Sequence, residues 1–157
     1  MDLDFSTIDE LHNLINQVNN TYYERFNANI LYLEELADNI FVIYIIELRD
    51  AYSHLVRIFD CDIANQDGKK NAQMHLEKYV NHLQKGLLDT FRKILAKEYS
   101  FAKKTINRRN LHVFDQYIAQ KASKLRIMSE ENSVDSRING YIELMDYLSE
   151  TRKQLEK

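Results

Sequence analysis

The chain runs for 157 residues without a proline, and its only glycines are Gly68, Gly86 and Gly140. Helix interiors exclude proline because it lacks a backbone N–H and clashes with the preceding turn. β-rich folds draw on both residues for their many turns. The sequence therefore predicts an all-α fold, a helical bundle of four to five long helices. Its length suits a single domain over 1–157 with its own core.

Hydrophobic periodicity places the helices. Ser6 and Thr7 are each followed three residues later by an acid, Asp9 and Glu10, the pattern of a capping box. Ile8, Leu11, Leu14, Ile15 and Val18 then recur at helical spacing. Tyr22, Tyr23, Phe26, Ile30 and Leu33 carry the stripe past Asn19 and Asn20, which weaken the helix without ending it. A boundary is expected over 36–39, with Asp38 as N-cap. A second helix is expected over 39–61, and Asp67-Gly68 reads as a turn. A third follows, with Met74, Leu76, Tyr79, Val80, Leu83, Leu87, Leu88, Phe91, Ile94 and Leu95 as its apolar positions. Gly86 lies inside that pattern and marks a close helix crossing. A break or bend is expected in the basic stretch 100–110. A fourth helix covers 111–128, with Val113, Phe114, Tyr117, Ile118 and Leu125 inward, and a last one covers 134–154.

Several function classes are disfavoured. The single Cys61 excludes an intramolecular disulfide and a cysteine-based zinc site. It fits a reducing compartment, so a cytoplasmic protein is expected. The acidic start Met1-Asp-Leu-Asp does not read as a secretory signal. The longest apolar run, Ile40 to Ile46, is far shorter than the roughly 20 residues that span a bilayer. It reads as the buried middle of the bundle, and no membrane association is expected. Asp9-x-x-His12 is the nearest approach to the Glu-x-x-His pairs of di-iron bundles. His75 and His82 share a helix face, but Glu77 and Lys78 beside them make that face read as solvated rather than ligating. No His-Glu-x-x-His, glycine-rich phosphate loop or Gly-x-Ser-x-Gly elbow is present. The sequence thus predicts no metal and no cofactor.

Charge is unevenly spread. Residues 1–47 hold nine acids and one base, whereas 85–126 hold eleven bases and three acids. Either the basic quarter attracts polyanions, or acidic and basic helices neutralise each other.

One segment carries candidate chemistry: Arg49-Asp50-Ala51-Tyr52-Ser53-His54. Arg49, Asp50, Ser53, His54 and Arg57 form one polar stripe, which a helix also uses simply to face water. With nine Arg and five His in the chain, about 0.3 chance matches to the bare Arg–His spacing are expected, and about 0.06 once Asn, Asp or His must follow the Arg. The chemistry is nonetheless specific. His54 titrates near neutrality and moves protons. Asp50, one turn earlier, is spaced to orient its imidazole. Arg49 offers a planar fork of donors suited to phosphate oxygens. RNA carries an internal nucleophile in its 2′-hydroxyl. Its cleavage needs only a positioned backbone, a proton acceptor and charge stabilisation at phosphorus, without metal. One such motif is sparse; two brought together across a dimer supply two arginines and two histidines.

The segment Glu47-Leu48-Arg49-Asp50-Ala51-Tyr52-Ser53-His54-Leu55 resembles the motif helix of HEPN domains. These are small all-α bundles whose signature is Arg, a polar Asn, Asp or His, a short spacer and His. The stretch from Asn71 to Asp89 resembles the helix that follows in many of them, so the likeness covers roughly 39–95. It implies a metal-independent endoribonuclease acting as a homodimer, often as a toxin or antiviral-defence effector with an antitoxin or companion protein. Arg49 and His54 carry over as catalytic residues, with Asp50 as the polar neighbour. Other HEPN domains are non-catalytic interaction or nucleotide-binding modules, and Asp50 does not distinguish the two kinds. As further RNA contacts, Tyr52 is suited to stack on a base, and Ser53, Arg57, Lys103, Lys104, Arg108 and Arg109 to meet phosphates. Packing for Tyr52 and ordinary surface charge for the basic residues are the simpler readings.

Overall fold

The computed structural model describes residues 2–37, 42–105, 108–127 and 134–155. Among them the chain is helical and holds no strand. The elements are α1 (Ile8–Val18), a π-helical segment (Asn19–Tyr23), α2 (Glu24–Ala37), α3 (Val42–Phe59), α4 (Gln66–Thr105), α5 (Arg108–Ile127) and α6 (Val134–Leu155). The first three run on without interruption, so the all-α helical architecture expected from composition is present. Its contacts form two compact units, Met1–Thr90 and Phe91–Lys157, with the boundary inside α4.

The first unit begins with the predicted capping box. The Thr7 hydroxyl accepts from the Glu10 N–H at 3.2 Å, and the Glu10 carboxylate accepts from the Thr7 N–H at 3.2 Å. The buried stripe then reads Leu11, Ile15, Val18, Tyr22, Phe26, Ile30 and Leu33. Three successive four-residue steps, from Val18 to Ile30, would drift about 120° around an ideal α-helix. The wider π turn at 19–23 absorbs that drift and keeps the stripe on one side. It also presents the Asn19 side-chain oxygen to the buried Tyr79 hydroxyl of α4. The two asparagines thus widen the helix rather than end it.

α3 departs from one expectation. The run Ile40 to Ile46 is not a wholly buried anchor: Tyr44 is buried, but Ile45 and Ile46 are 45% and 39% exposed. Seven residues at 100° each pass nearly twice around a helix, so a continuous apolar run must turn some side chains outward. The expected boundary at Asp38 and the start of that run lie outside the described residues.

The α3–α4 connection is held by short polar contacts. Asp62 accepts from the Ala64 N–H at 3.1 Å and from the Asn65 amide at 2.9 Å. The Asn65 side chain accepts from the Gly68 N–H at 2.7 Å and caps α4. Asp67-Gly68 is therefore the first turn of α4 rather than the turn before it, and the turn chemistry sits at Asp62 and Asn65. Along α4, Leu76, Tyr79, Leu83 and Leu87 are fully buried, whereas Met74 is exposed. Gly86 lies against the ring of Phe26 on α2, where an added Cβ would overlap the aromatic carbons. The close crossing expected at this glycine is present.

In the second unit, Phe91, Ile94 and Leu95 of α4, Phe114, Ile118 and Leu125 of α5, and Ile138, Tyr141, Leu144 and Leu148 of α6 are buried. Phe91 and Tyr141 stack with centroids 6.2 Å apart, and Tyr99 and Phe114 at 5.8 Å. Tyr117, expected inward, is 38% exposed and meets Tyr147 at 4.5 Å. A phenol accommodates that edge position because its hydroxyl stays wet. The basic stretch remains helical through Thr105, and α5 begins at Arg108.

Gly86→Ala should lower stability by about 1–3 kcal/mol through overpacking against Phe26, although alanine alone would favour the helix by about 1 kcal/mol. Urea denaturation checks this; a more stable variant would show that the two helices do not meet closely at this point.

Candidate functional site

The motif lies on α3, and its side chains divide between solvent and α4. Arg49 is 71% exposed at its side chain. Its Nε and a terminal nitrogen donate to one oxygen of Asp50, at 3.1 and 2.8 Å. The Arg49 hydrogen bond is the main reason the Asp50 carboxyl sits below the usual range. The carboxylate whose spacing suited His54 is thus bound by Arg49.

His54 is half-buried and finds its partner on α4. Its Nδ1 is 3.0 Å from Nδ1 of His75. The two rings have centroids 5.2 Å apart and are inclined by 30°. His82, two turns further along α4, stacks on His54 at 5.5 Å and 20°. Three imidazoles therefore line one side of the α3–α4 contact. The His75/His82 face, which Glu77 and Lys78 made look solvated, is half-buried and turned toward α3. Desolvation lowers the His54 pKa first, and the charges of His75, His82, Lys78 and Arg57 add to it. Desolvation likewise lowers His75, with Arg57 and Lys78 contributing. Both shifts favour the neutral imidazole.

Beneath the imidazoles lies an acid that motif reasoning passed over. Glu47 is 7% exposed. It accepts from His82 Nδ1 at 2.8 Å and from the Lys85 ammonium. Burial alone would raise its carboxyl, but hydrogen bonds from Lys85 and His82, with their charges, hold it below the usual range. A buried carboxylate on an apolar helix needs donors from a neighbouring element. The spacing His82-x-x-Lys85 on one helix face was the available signal for them.

The lesser candidates separate. Tyr52 is 43% exposed and meets Tyr23 edge-on, with centroids 5.9 Å apart. Burial of its hydroxyl and the adjacent Tyr23 hydroxyl push its pKa up to about 12. Ser53 and Arg57 are exposed on α3. Lys103 and Lys104 belong to the second unit, where Lys103 pairs with Asp115 at 3.2 Å. Asp115 also accepts from the Tyr99 hydroxyl at 2.7 Å. The side chains of Arg108 and Arg109 lie outside the described residues. His12 is exposed and packs against Phe59 with centroids 6.1 Å apart. Among the described residues, no group of three or more His, Cys, Asp or Glu is placed to hold a metal ion, and no helix is long and apolar enough to cross a membrane.

α3 also carries an exposed apolar seam. Ile45, Tyr52, Val56 and Phe59 are exposed, the last two by 59% and 60%. With Arg49 they recur at alternating steps of four and three, the spacing with which one helix packs along another.

Comparison with protein-family models, curated proteins and solved structures returned no match.

Glu47 contributes to the acid limb of stability. The unfolded reference of Glu47 is 4.5 and its folded value is lower. Its contribution is therefore fully present above pH 4.5 and is lost as pH falls through the folded value. Removing the charge in Glu47→Gln should cost about 1–3 kcal/mol at pH 7 and flatten the pH dependence below 4.5. Urea melts from pH 7 to 3 measure both; an unchanged acid limb would show that Glu47 is not charged and paired in the folded protein.

Proposed function

We propose that this chain is a metal-independent endoribonuclease of HEPN type, acting as a homodimer whose α3 helices together form the catalytic site. The observation that carries this reading is the arrangement on α3: a half-buried His54 whose Nδ1 meets His75 of α4, and on the same helix an exposed Arg49. Arg49 and His54 are five positions apart, so they lie about 140° apart around the helix. One copy does not aim both side chains at a single point. His54 faces α4, about 180° around the helix from the centre of that seam, so a second copy supplies the missing half by bringing its Arg49 to the α3–α4 face rather than by packing along the seam.

In that composite site, the two Arg49 guanidiniums hold the scissile phosphate and balance the charge that builds on its oxygens. One neutral His54 takes the 2′-hydroxyl proton as the 2′-oxygen bonds to phosphorus. The bond from phosphorus to the 5′-oxygen breaks, and that oxygen takes a proton from water, to which His54 returns the one it took. The products are a 2′,3′-cyclic phosphate and a 5′-hydroxyl, so atoms and protons balance without a metal. Tyr52, Ser53 and Arg57 line the same helix as RNA contacts. A toxin or antiviral-defence role, restrained by an antitoxin or companion protein, follows from the family resemblance, and the single Cys61 fits a reducing, cytoplasmic setting.

The seam itself favours a second reading, a non-catalytic module in which Ile45, Tyr52, Val56 and Phe59 dock a companion protein. RNA turnover separates the two. Wild type should cleave RNA in EDTA, and Arg49→Ala and His54→Ala should each lose about a hundredfold or more while remaining helical and folded. Strict metal dependence, or full activity in both variants, would overturn the nuclease reading. Stable binding of a companion protein over the seam, with no RNA turnover, would favour the module.

A further inference from the structure

We propose that His75 is a positioning residue for His54: it accepts a hydrogen bond from His54 Nδ1–H and thereby leaves His54 Nε2 bare and open to the substrate. The inference rests on the nuclease reading for its role in catalysis, but the pairing itself rests on geometry.

Two imidazole nitrogens 3.0 Å apart have few ways to coexist. If neither carries a proton, two lone pairs face each other; if both do, two N–H groups collide. Only one shared proton makes the contact a hydrogen bond. The tautomers of the two rings are therefore coupled. With the proton on His54 Nδ1, His54 has a free lone pair at Nε2 and His75 keeps its proton on Nε2. This is the tautomer a general base requires, because the nitrogen facing the substrate must be bare.

The surroundings hold the pair in place. His82 stacks on the His54 ring at 5.5 Å and is itself tied to the buried Glu47 at 2.8 Å. The ring of His54 thus has a partner at Nδ1 and a second imidazole on its face, both from α4. Lys78 on α4 and Arg57 on α3 act on both His54 and His75, and the Asp50 carboxylate acts on His54. Neutral His75 accepts without adding charge at rest. When His54 takes the 2′-hydroxyl proton at Nε2, the imidazolium that forms keeps its Nδ1–H on His75 and is stabilised by it. His75 makes no contact with substrate in this scheme and acts only through His54.

The test is long-range 1H–15N NMR of the full ¹⁵N-labelled chain, combined with RNA cleavage kinetics. In the wild type, His54 should carry its proton on Nδ1 with Nε2 bare. In His75→Phe, which keeps a ring of similar size but no acceptor, His54 should revert to the Nε2–H tautomer that free imidazole side chains favour in water. The same variant should lose kcat by about tenfold or more with KM unchanged. His75→Asn, whose side-chain oxygen reaches the place of Nδ1, should restore both. A wild-type His54 protonated on Nε2 overturns the proposal without any variant being needed. So does a His54 tautomer and kcat left unchanged by His75→Phe. If the wild type cleaves no RNA, the nuclease reading fails, and the tautomer measurement still decides the pairing.

Discussion

Glu47 is an acid on the most apolar part of the chain, and it is nearly fully buried. A carboxylate in that position is tolerated only if donors reach it from another element. Lys85 and His82 of α4 do so. These hydrogen bonds constrain the rotation of α3 against α4, because hydrogen bonds have direction and hydrophobic contacts do not. Once His82 is fixed on Glu47, its ring lies against His54, and His75, two turns earlier on α4, meets the Nδ1 of the same residue. The state of the motif histidine therefore follows from a buried carboxylate two turns away on its own helix.

The helices themselves were legible because their causes are local. A capping box at Thr7 and Glu10, a buried stripe from Leu11 to Leu33, and a glycine where α4 meets Phe26 each express themselves in residue spacing. Periodicity failed where a feature depends on how a helix is wound or turned. The π segment at 19–23 is invisible to a 3.6-residue period, although the three four-residue steps from Val18 to Ile30 encode it. The outward faces of Ile45 and Ile46 were hidden in a run with no polar residue to mark a side. Asp67-Gly68 has turn composition but lies inside the first turn of α4, because Asn65 caps the helix just before it.

The candidate site was legible as residues and illegible as a network. Arg49, Asp50 and His54 are visible along one helix, and intrahelical spacing pairs Asp50 with His54. In the fold, Asp50 accepts from Arg49, and His54 turns to α4. The contact of His54 with His75, twenty-one residues apart, leaves no mark in either helix taken alone, and that of Glu47 with His82 leaves only the spacing His82-x-x-Lys85. Charges beside His75 and His82 suggested a wetted face, whereas the neighbouring Glu77 and Lys78 are exposed while the histidines turn inward. Glu77 lies about 200° from His75 around the helix and says little about its surroundings, whereas Lys78, three residues after His75 and four before His82, shares their side and is itself exposed.

We propose that two copies of α3 cleave RNA through its own 2′-hydroxyl, with His54 as base and Arg49 on the phosphate. The chemistry of the new RNA ends tests this most directly. RNA incubated with the wild-type chain in EDTA should yield 2′,3′-cyclic phosphate on one side of each cut and 5′-hydroxyl on the other. Cuts bearing 3′-hydroxyl and 5′-phosphate, the ends left when water or a metal-bound hydroxide attacks, would contradict it.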